Sequence, residues 1–143
     1  MILLVEDNED DEALTVRAFK RNKILNRLVV ARTGEEAIDF LFATGPHAGR
    51  DAAVVPVLML LDLNLPKVNG LDILRRVRAD ERTKLLRVVA LTSSKQDEDI
   101  LRSEPGPTRS IRKPINFADL TQAVQTLGLT WRELDNGTSL QAT

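Results

Sequence analysis

The chain has 143 residues, the size of a single domain that can bury a substantial core. Its 20 basic and 21 acidic residues leave a net charge near -1, so we expect no nucleic-acid or anionic-membrane partner. Cysteine is absent, which excludes disulfides and thiolate chemistry, and a single histidine, His47, argues against a histidine-rich metal site or a Ser-His-Asp triad. No segment reaches the roughly 20 apolar residues of a membrane helix, and the first residues turn acidic at Glu6. We therefore expect a cytoplasmic protein without a secretory signal.

Short apolar runs alternate with amphipathic segments, a pattern that predicts alternating strands and helices. In chain order these are a strand at residues 2–5, a helix up to residue 23, a strand at 28–31, a helix opened by Thr33, a strand at 57–61, a helix at 70–80, a strand at 88–91, a helix at 96–103, a strand at 109–111 and a helix at 116–127. Thr33 and Glu36 have the spacing of a capping box. The wholly apolar run 57–61 is typical of a strand covered on both faces.

Five strands alternating with helices indicate an α/β fold, a doubly wound parallel sheet with helices on both faces. Ligands of such sheets bind at the carboxyl ends of the strands. The residues that follow four of the predicted strands are polar, namely Glu6 and Asp7, Asp62, Thr92 and Ser93, and Lys113. Because the carboxyl ends of parallel strands share one edge, we expect these side chains to be neighbours.

Three carboxylates in one pocket repel one another unless a cation joins them. Oxygen ligands without nearby cysteine or histidine favour Mg²⁺, which takes one or two carboxylates together with phosphate oxygens. The pocket therefore predicts phosphoryl transfer, with a carboxylate as nucleophile and Lys113 and Thr92 as partners of the phosphate. Each residue alone is explained by a helix cap or a surface charge, and for Glu6 and Asp7 the two interpretations have about equal weight. The combination on one edge favours the functional interpretation.

These residues resemble the receiver domain of two-component response regulators over residues 1–127. The matching segments are Glu6-Asp7, Leu60 to Pro66 with Gly70, Thr92-Ser93, and Lys113-Pro114. The resemblance implies strand order 2-1-3-4-5, the flavodoxin-like arrangement. It also implies a cis bond before Pro114 and a phosphoryl group supplied by a histidine of a partner kinase.

The resemblance assigns roles to individual residues of this chain. Asp62 is the implied phosphoacceptor, and Asp7 a direct ligand of Mg²⁺. Glu6 reaches the metal through water, and Asn64 offers its backbone carbonyl. The remaining implied partners of the phosphoryl group are Thr92, the small neighbour Ser93 and Lys113. Residues 44–56 and 62–67 are most similar to single-domain regulators paired with phytochrome-type histidine kinases.

One position departs from the family pattern. Receivers place Tyr or Phe three residues before the lysine, whereas this chain has Ser110. The aromatic side chain that usually responds to phosphorylation in receivers is therefore missing at this position. The nearby Pro105 and Pro107 predict a shortened or distorted end of the preceding helix.

Residues 128–143 form a tail that is too short for a DNA-binding output domain. It contains Leu129 and Trp131, and aromatic residues are favoured anchors at interfaces. We predict a homodimer in which the tail reaches across to its partner; a tail folded back on its own domain, or disordered, has equal weight.

Two other functions compete with the phosphorylated response regulator. A non-phosphorylated adaptor of the same fold would lack some of the acids or the lysine, and a phosphohydrolase would have a second aspartate where this chain has Asn64. A phosphate sink without its own output stays open. We expect a phosphoacceptor rather than a turnover enzyme.

Overall fold

The computed structural model describes residues 1–24 and 26–129. Five strands and five α-helices alternate strictly. In chain order they are β1 (Ile2–Val5), α1 (Glu9–Arg21), β2 (Leu28–Ala31), α2 (Gly34–Phe42), β3 (Leu58–Asp62), α3 (Gly70–Ala79), β4 (Val88–Thr92), α4 (Lys95–Arg102), β5 (Thr108–Arg112) and α5 (Phe117–Thr126). A short 3-10 helix, Gly45–His47, interrupts the connection between α2 and β3, where the sequence predicted no regular structure.

The strands form one parallel sheet in the order β2-β1-β3-β4-β5, which confirms the predicted doubly wound topology. β1, β3 and β4 are buried along their whole length, as expected for strands covered on both faces. The two faces of the sheet bury separate apolar layers. One layer contains residues of α2, α3 and α4, and the other contains residues of α1 and α5.

Polar side chains start all five helices. In each case a side-chain oxygen accepts a hydrogen bond from a backbone N–H of the first turn, and the residues are Asn8, Thr33, Asn69, Ser94 and Asn116. Thr33 therefore caps α2 as predicted. The predicted capping box differs in one detail, because the Glu36 carboxylate accepts from the backbone N–H of Arg32 instead of Thr33.

Arg78 holds the unusual connection between α4 and β5. Helix α4 is eight residues long and ends before Pro105, consistent with the helix-breaking role of proline. The half-buried Arg78 guanidinium donates to the carbonyls of Pro105 and Pro107 and to the hydroxyl of Thr108. The same group donates to two carbonyls that precede β4. One side chain on α3 thus fixes the starts of β4 and β5.

The described residues continue only a short way past α5. Gly128 has a φ of +82°, and Leu129 packs into the layer beneath α1 and α5. The predicted dimerisation arm, with Trp131, falls in residues 130–143 and so lies outside the described residues. Among the residues described, no helix combines the length and the apolar character that crossing a membrane requires.

Candidate functional site

The predicted residues come together at the carboxyl edge of the sheet. Glu6 follows β1, Asp62 ends β3, Thr92 ends β4 and Lys113 follows β5. One carboxylate oxygen from each of Glu6, Asp7 and Asp62 lies within 4.8 Å of the others. Glu6 and Asp62 are buried, whereas Asp7 is exposed. The edge therefore carries a compact acidic pocket with one side open to solvent.

Lys113 reaches into this pocket from the end of β5. Its backbone N–H donates to the carbonyl of Thr92 at 2.8 Å, and its bond to Pro114 is cis, as the family resemblance implied. The ammonium Nζ lies 2.6 Å from Asp62 Oδ2 and 3.6 Å from Glu6 Oε1. Burial alone would lower the pKa of Lys113, but the hydrogen bond and charge of Asp62, with further carboxylates, outweigh burial and raise it. The ammonium is therefore held in its charged form.

Both oxygens of Asp62 are already bound by protein donors. Oδ2 accepts from Lys113, and Oδ1 accepts from the backbone N–H of Asn64 at 2.8 Å. Helix α3 begins directly against this segment. The closeness of the approach is shown by Gly70, where an added Cβ would lie 2.7 Å from the carbonyl oxygen of Asp62 and 2.6 Å from the Cα of Leu63. Only glycine permits so close an approach.

The loop between β3 and α3 adopts a tight turn at Lys67. The N–H of Val68 donates to the carbonyl of Pro66 at 2.7 Å, and Lys67 has a φ of +66°. This geometry is a γ-turn, which is uncommon and strained for a residue with a side chain. The turn brings the chain from Asp62 back to the start of α3.

The surroundings of Glu6 raise the pKa of its carboxyl group. Burial, followed by hydrogen bonding to and repulsion by Asp62, raises its pKa to about 8. Glu6 Oε2 accepts from the N–H of Asn8, whereas no donor lies within hydrogen-bond distance of the buried Oε1, with Lys113 Nζ 3.6 Å away. A buried carboxylate oxygen without a donor beside two further carboxylates is the arrangement that a hard divalent cation satisfies. The residues present therefore fit Mg²⁺ or a similar ion.

The two hydroxyl residues after β4 have different environments. Thr92 is fully buried, and its Oγ1 has no hydrogen-bond partner. Ser93 is exposed, and its hydroxyl accepts from the side-chain amide of Asn64 at 2.8 Å. An unpaired buried hydroxyl costs free energy, and a ligand oxygen in the pocket would supply the missing partner of Thr92.

Ser110 lies on the edge strand β5, away from the pocket. It is half-buried and lines a groove of about 330 Å³ between α4 and α5. The side chains around it include Arg109, Arg112 and Glu98, and Arg112 pairs with Glu98 at 3.1 Å. No aromatic side chain of the described residues lines this groove.

Sequence reasoning missed one acid of the site, Asp11. Its Oδ2 lies 3.4 Å from Lys113 Nζ. Asp11 stands in the first turn of α1, where Asn8 binds its backbone N–H, and helical side chains lean towards the helix N-terminus. That rule, applied to the acidic run at residues 9–12, would have pointed to Asp11.

The comparisons with known proteins agree with the fold. The family described as response regulator receiver domain matches residues 2–125. This chain belongs to the receiver domain family of response regulators.

Several relatives of known sequence or structure are similar to this chain over most of its length. The bacteriophytochrome response regulator AtBRR shares 43% identity and a TM-score of 0.83 with this chain, and covers 91% of it and 93% of its own length. RtBRR, also a bacteriophytochrome response regulator, shares 40% identity at a TM-score of 0.83, covering 91% of this chain and 78% of its own. Response regulator Rcp1 from Synechocystis sp. is 34% identical over 134 residues, which are 93% of this chain and 89% of Rcp1. The chain is thus similar in sequence and structure to bacteriophytochrome response regulators.

Proposed function

We propose that this protein is a response regulator that accepts a phosphoryl group from a histidine kinase on Asp62 and signals through protein–protein contacts. The observation that carries the proposal is the contact between Asp62 Oδ2 and Lys113 Nζ at 2.6 Å, beside the carboxylates of Glu6 and Asp7. Membership of the receiver family supports it, since receivers act as phosphoacceptors rather than turnover enzymes.

In the transfer, a carboxylate oxygen of Asp62 supplies the electron pair of the new O–P bond. The bond from phosphorus to the donor breaks, and its electron pair stays on the donor, a histidine nitrogen of the kinase. Lys113 then pairs with a phosphoryl oxygen, and the unpaired hydroxyl of Thr92 donates to another. The small, exposed side chain of Ser93 leaves room for the group.

The metal ligands are part of the same proposal. Asp7 and Asp62 would bind Mg²⁺ directly, Glu6 would act through water, and Asn64 would contribute its backbone carbonyl. Bound Mg²⁺ supplies charge neutralisation for the phosphoryl oxygens. Rcp1 has been crystallised in a Mn²⁺-bound form, which supports a divalent cation site in this group of proteins.

The partner proposed is a phytochrome-type histidine kinase. Its support is the similarity to the bacteriophytochrome response regulators AtBRR and RtBRR. A phosphotransfer screen tests it: candidate kinases of the same cell are autophosphorylated with labelled ATP, and transfer to this protein is measured over short times. Preferential transfer from a phytochrome-type kinase is expected, and transfer only from an unrelated kinase would contradict the assignment.

Of the two competing functions, the non-phosphorylated adaptor has less support, and the phosphate sink stays open. A non-phosphorylated adaptor does not need the complete set of Glu6, Asp7, Asp62 and Lys113, and a phosphate sink requires the same chemistry but no output contact. The predicted homodimer, the cytoplasmic location and the absence of a nucleic-acid partner stay predictions. The domain boundary at residue 127 also stays a prediction.

A further inference from the structure

Lys113 has a second close carboxylate that the proposed reaction does not use. Asp11 Oδ2 lies 3.4 Å from Nζ, a little farther than Asp62 Oδ2 at 2.6 Å. The acids whose oxygens cluster within metal-binding distance are Glu6, Asp7 and Asp62, and Asp11 is not among them. Asp11 thus faces the ammonium rather than the metal position.

The position of Asp11 is fixed by its own backbone. Its N–H donates to the side chain of the N-cap Asn8 at 3.0 Å, and its carbonyl accepts from the buried hydroxyl of Thr15 at 3.0 Å. The short side chain has few rotamers and leans towards the pocket. The backbone that carries the Asp11 carboxylate is therefore fixed next to Lys113.

We propose that Asp11 is a positioning residue that acts through Lys113, holding the ammonium in the resting pocket and competing for it with the phosphoryl group. This inference rests on the proposed function, in which Lys113 leaves Asp62 to pair with a phosphoryl oxygen. A fixed carboxylate next to the ammonium stabilises the resting arrangement and weakens the attraction between Lys113 and the incoming anion. Asp11 thereby limits how strongly the pocket retains a phosphoryl group.

The direction of the effect follows from the charges. Replacing the Asp11 carboxylate with an amide keeps the side-chain shape and a hydrogen-bond acceptor but removes the competing charge. The phosphoryl-bound state then becomes more favourable relative to the resting state. Because the Asp11 side chain is 37% exposed and partly screened, we expect a change of about fivefold in affinity rather than a larger one.

The test measures binding of beryllofluoride, a stable mimic of the phosphoryl group on a carboxylate, to the full chain in the presence of Mg²⁺. Asp11→Asn should bind it about fivefold more tightly than the original protein. Asp10→Asn is the matched control, because Asp10 lies on the same turn, is exposed and forms no ion pair within the described residues. Asp11→Glu, which restores the charge, should return the affinity towards that of the original protein.

A double-mutant cycle separates action through Lys113 from a general charge effect. In the Lys113→Met background, Asp11→Asn should change the affinity no more than Asp10→Asn does. Equal effects of the two asparagine variants in the original background, a weaker affinity in Asp11→Asn, or an undiminished effect without Lys113 would each overturn the inference. If the original protein neither binds beryllofluoride nor incorporates phosphate, the proposed function itself fails; if it does both, only the role of Asp11 is at stake.

Discussion

Replacing Gly70 with alanine should damage both the stability of the fold and the phosphorylation of Asp62. The added Cβ would lie 2.6 Å from the Cα of Leu63 and 2.7 Å from the carbonyl oxygen of Asp62, and both neighbours are backbone atoms that cannot rotate away. Overpacking of this kind costs about 1–3 kcal/mol. The loss of glycine entropy in the unfolded chain returns up to about 1 kcal/mol. We therefore expect a net loss of about 1–2 kcal/mol.

Thermal unfolding followed by circular dichroism measures the first effect, and a fall in Tm of about 5 °C is expected. Acetyl phosphate with Mg²⁺ measures the second, and slower incorporation is expected because the start of α3 can relax only by displacing Asp62. Gly49→Ala is the control, since no atom lies within 4 Å of its added Cβ. A Gly70→Ala protein that melts within about 1 °C of the original would refute the argued packing of α3 against Asp62.

Two further predictions concern buried polar groups of the site. Thr92→Val should leave the Tm of the resting protein unchanged or raise it, because the Thr92 hydroxyl has no hydrogen-bond partner, and it should weaken beryllofluoride binding. Thr83→Val is the comparison, because the Thr83 hydroxyl donates to the carbonyl of Val77 at 2.7 Å. It should lower the free energy of unfolding by about 1 kcal/mol in the same melting assay. Glu6 has a pKa of about 8 in the fold and an ordinary value of 4.5, so the folded chain binds the proton more tightly. Without metal, the contribution of Glu6 to the free energy of unfolding should therefore fall as the pH rises from about 4.5 to about 8. Because Mg²⁺ competes with the proton on Glu6, the gain in Tm on adding Mg²⁺ should be larger at pH 8 than at pH 6. A constant gain across that range would contradict the assignment of Glu6 to the metal pocket.

Most of the fold was predictable because four of the five strands are short and almost purely apolar. Their ends in the structure lie within one or two residues of the predicted ends, and parallel strands necessarily present their carboxyl ends on one edge. That geometric rule alone brought Glu6, Asp62, Thr92 and Lys113 together, although they are far apart in the chain. The strand order itself came from the family resemblance.

The parts that could not be predicted depend on contacts distant in sequence. The five hydrogen bonds of Arg78 join two connections whose proximity exists only after β4 and β5 pair. The 3-10 helix Gly45–His47 has too few residues for a periodic pattern. Asp11 was hidden by its acidic neighbours, because charges in a first helical turn also have a simple explanation in the helix dipole.

The central claim is that the Asp62 carboxylate attacks phosphorus. The most direct measurement incubates the protein with Mg²⁺ and acetyl phosphate and determines by intact mass and peptide mapping where an acid-labile phosphoryl group is attached. We predict one phosphoryl group on Asp62 and none in Asp62→Asn. Undiminished incorporation in Asp62→Asn, or a phosphoryl group on another residue of the original protein, would contradict the account.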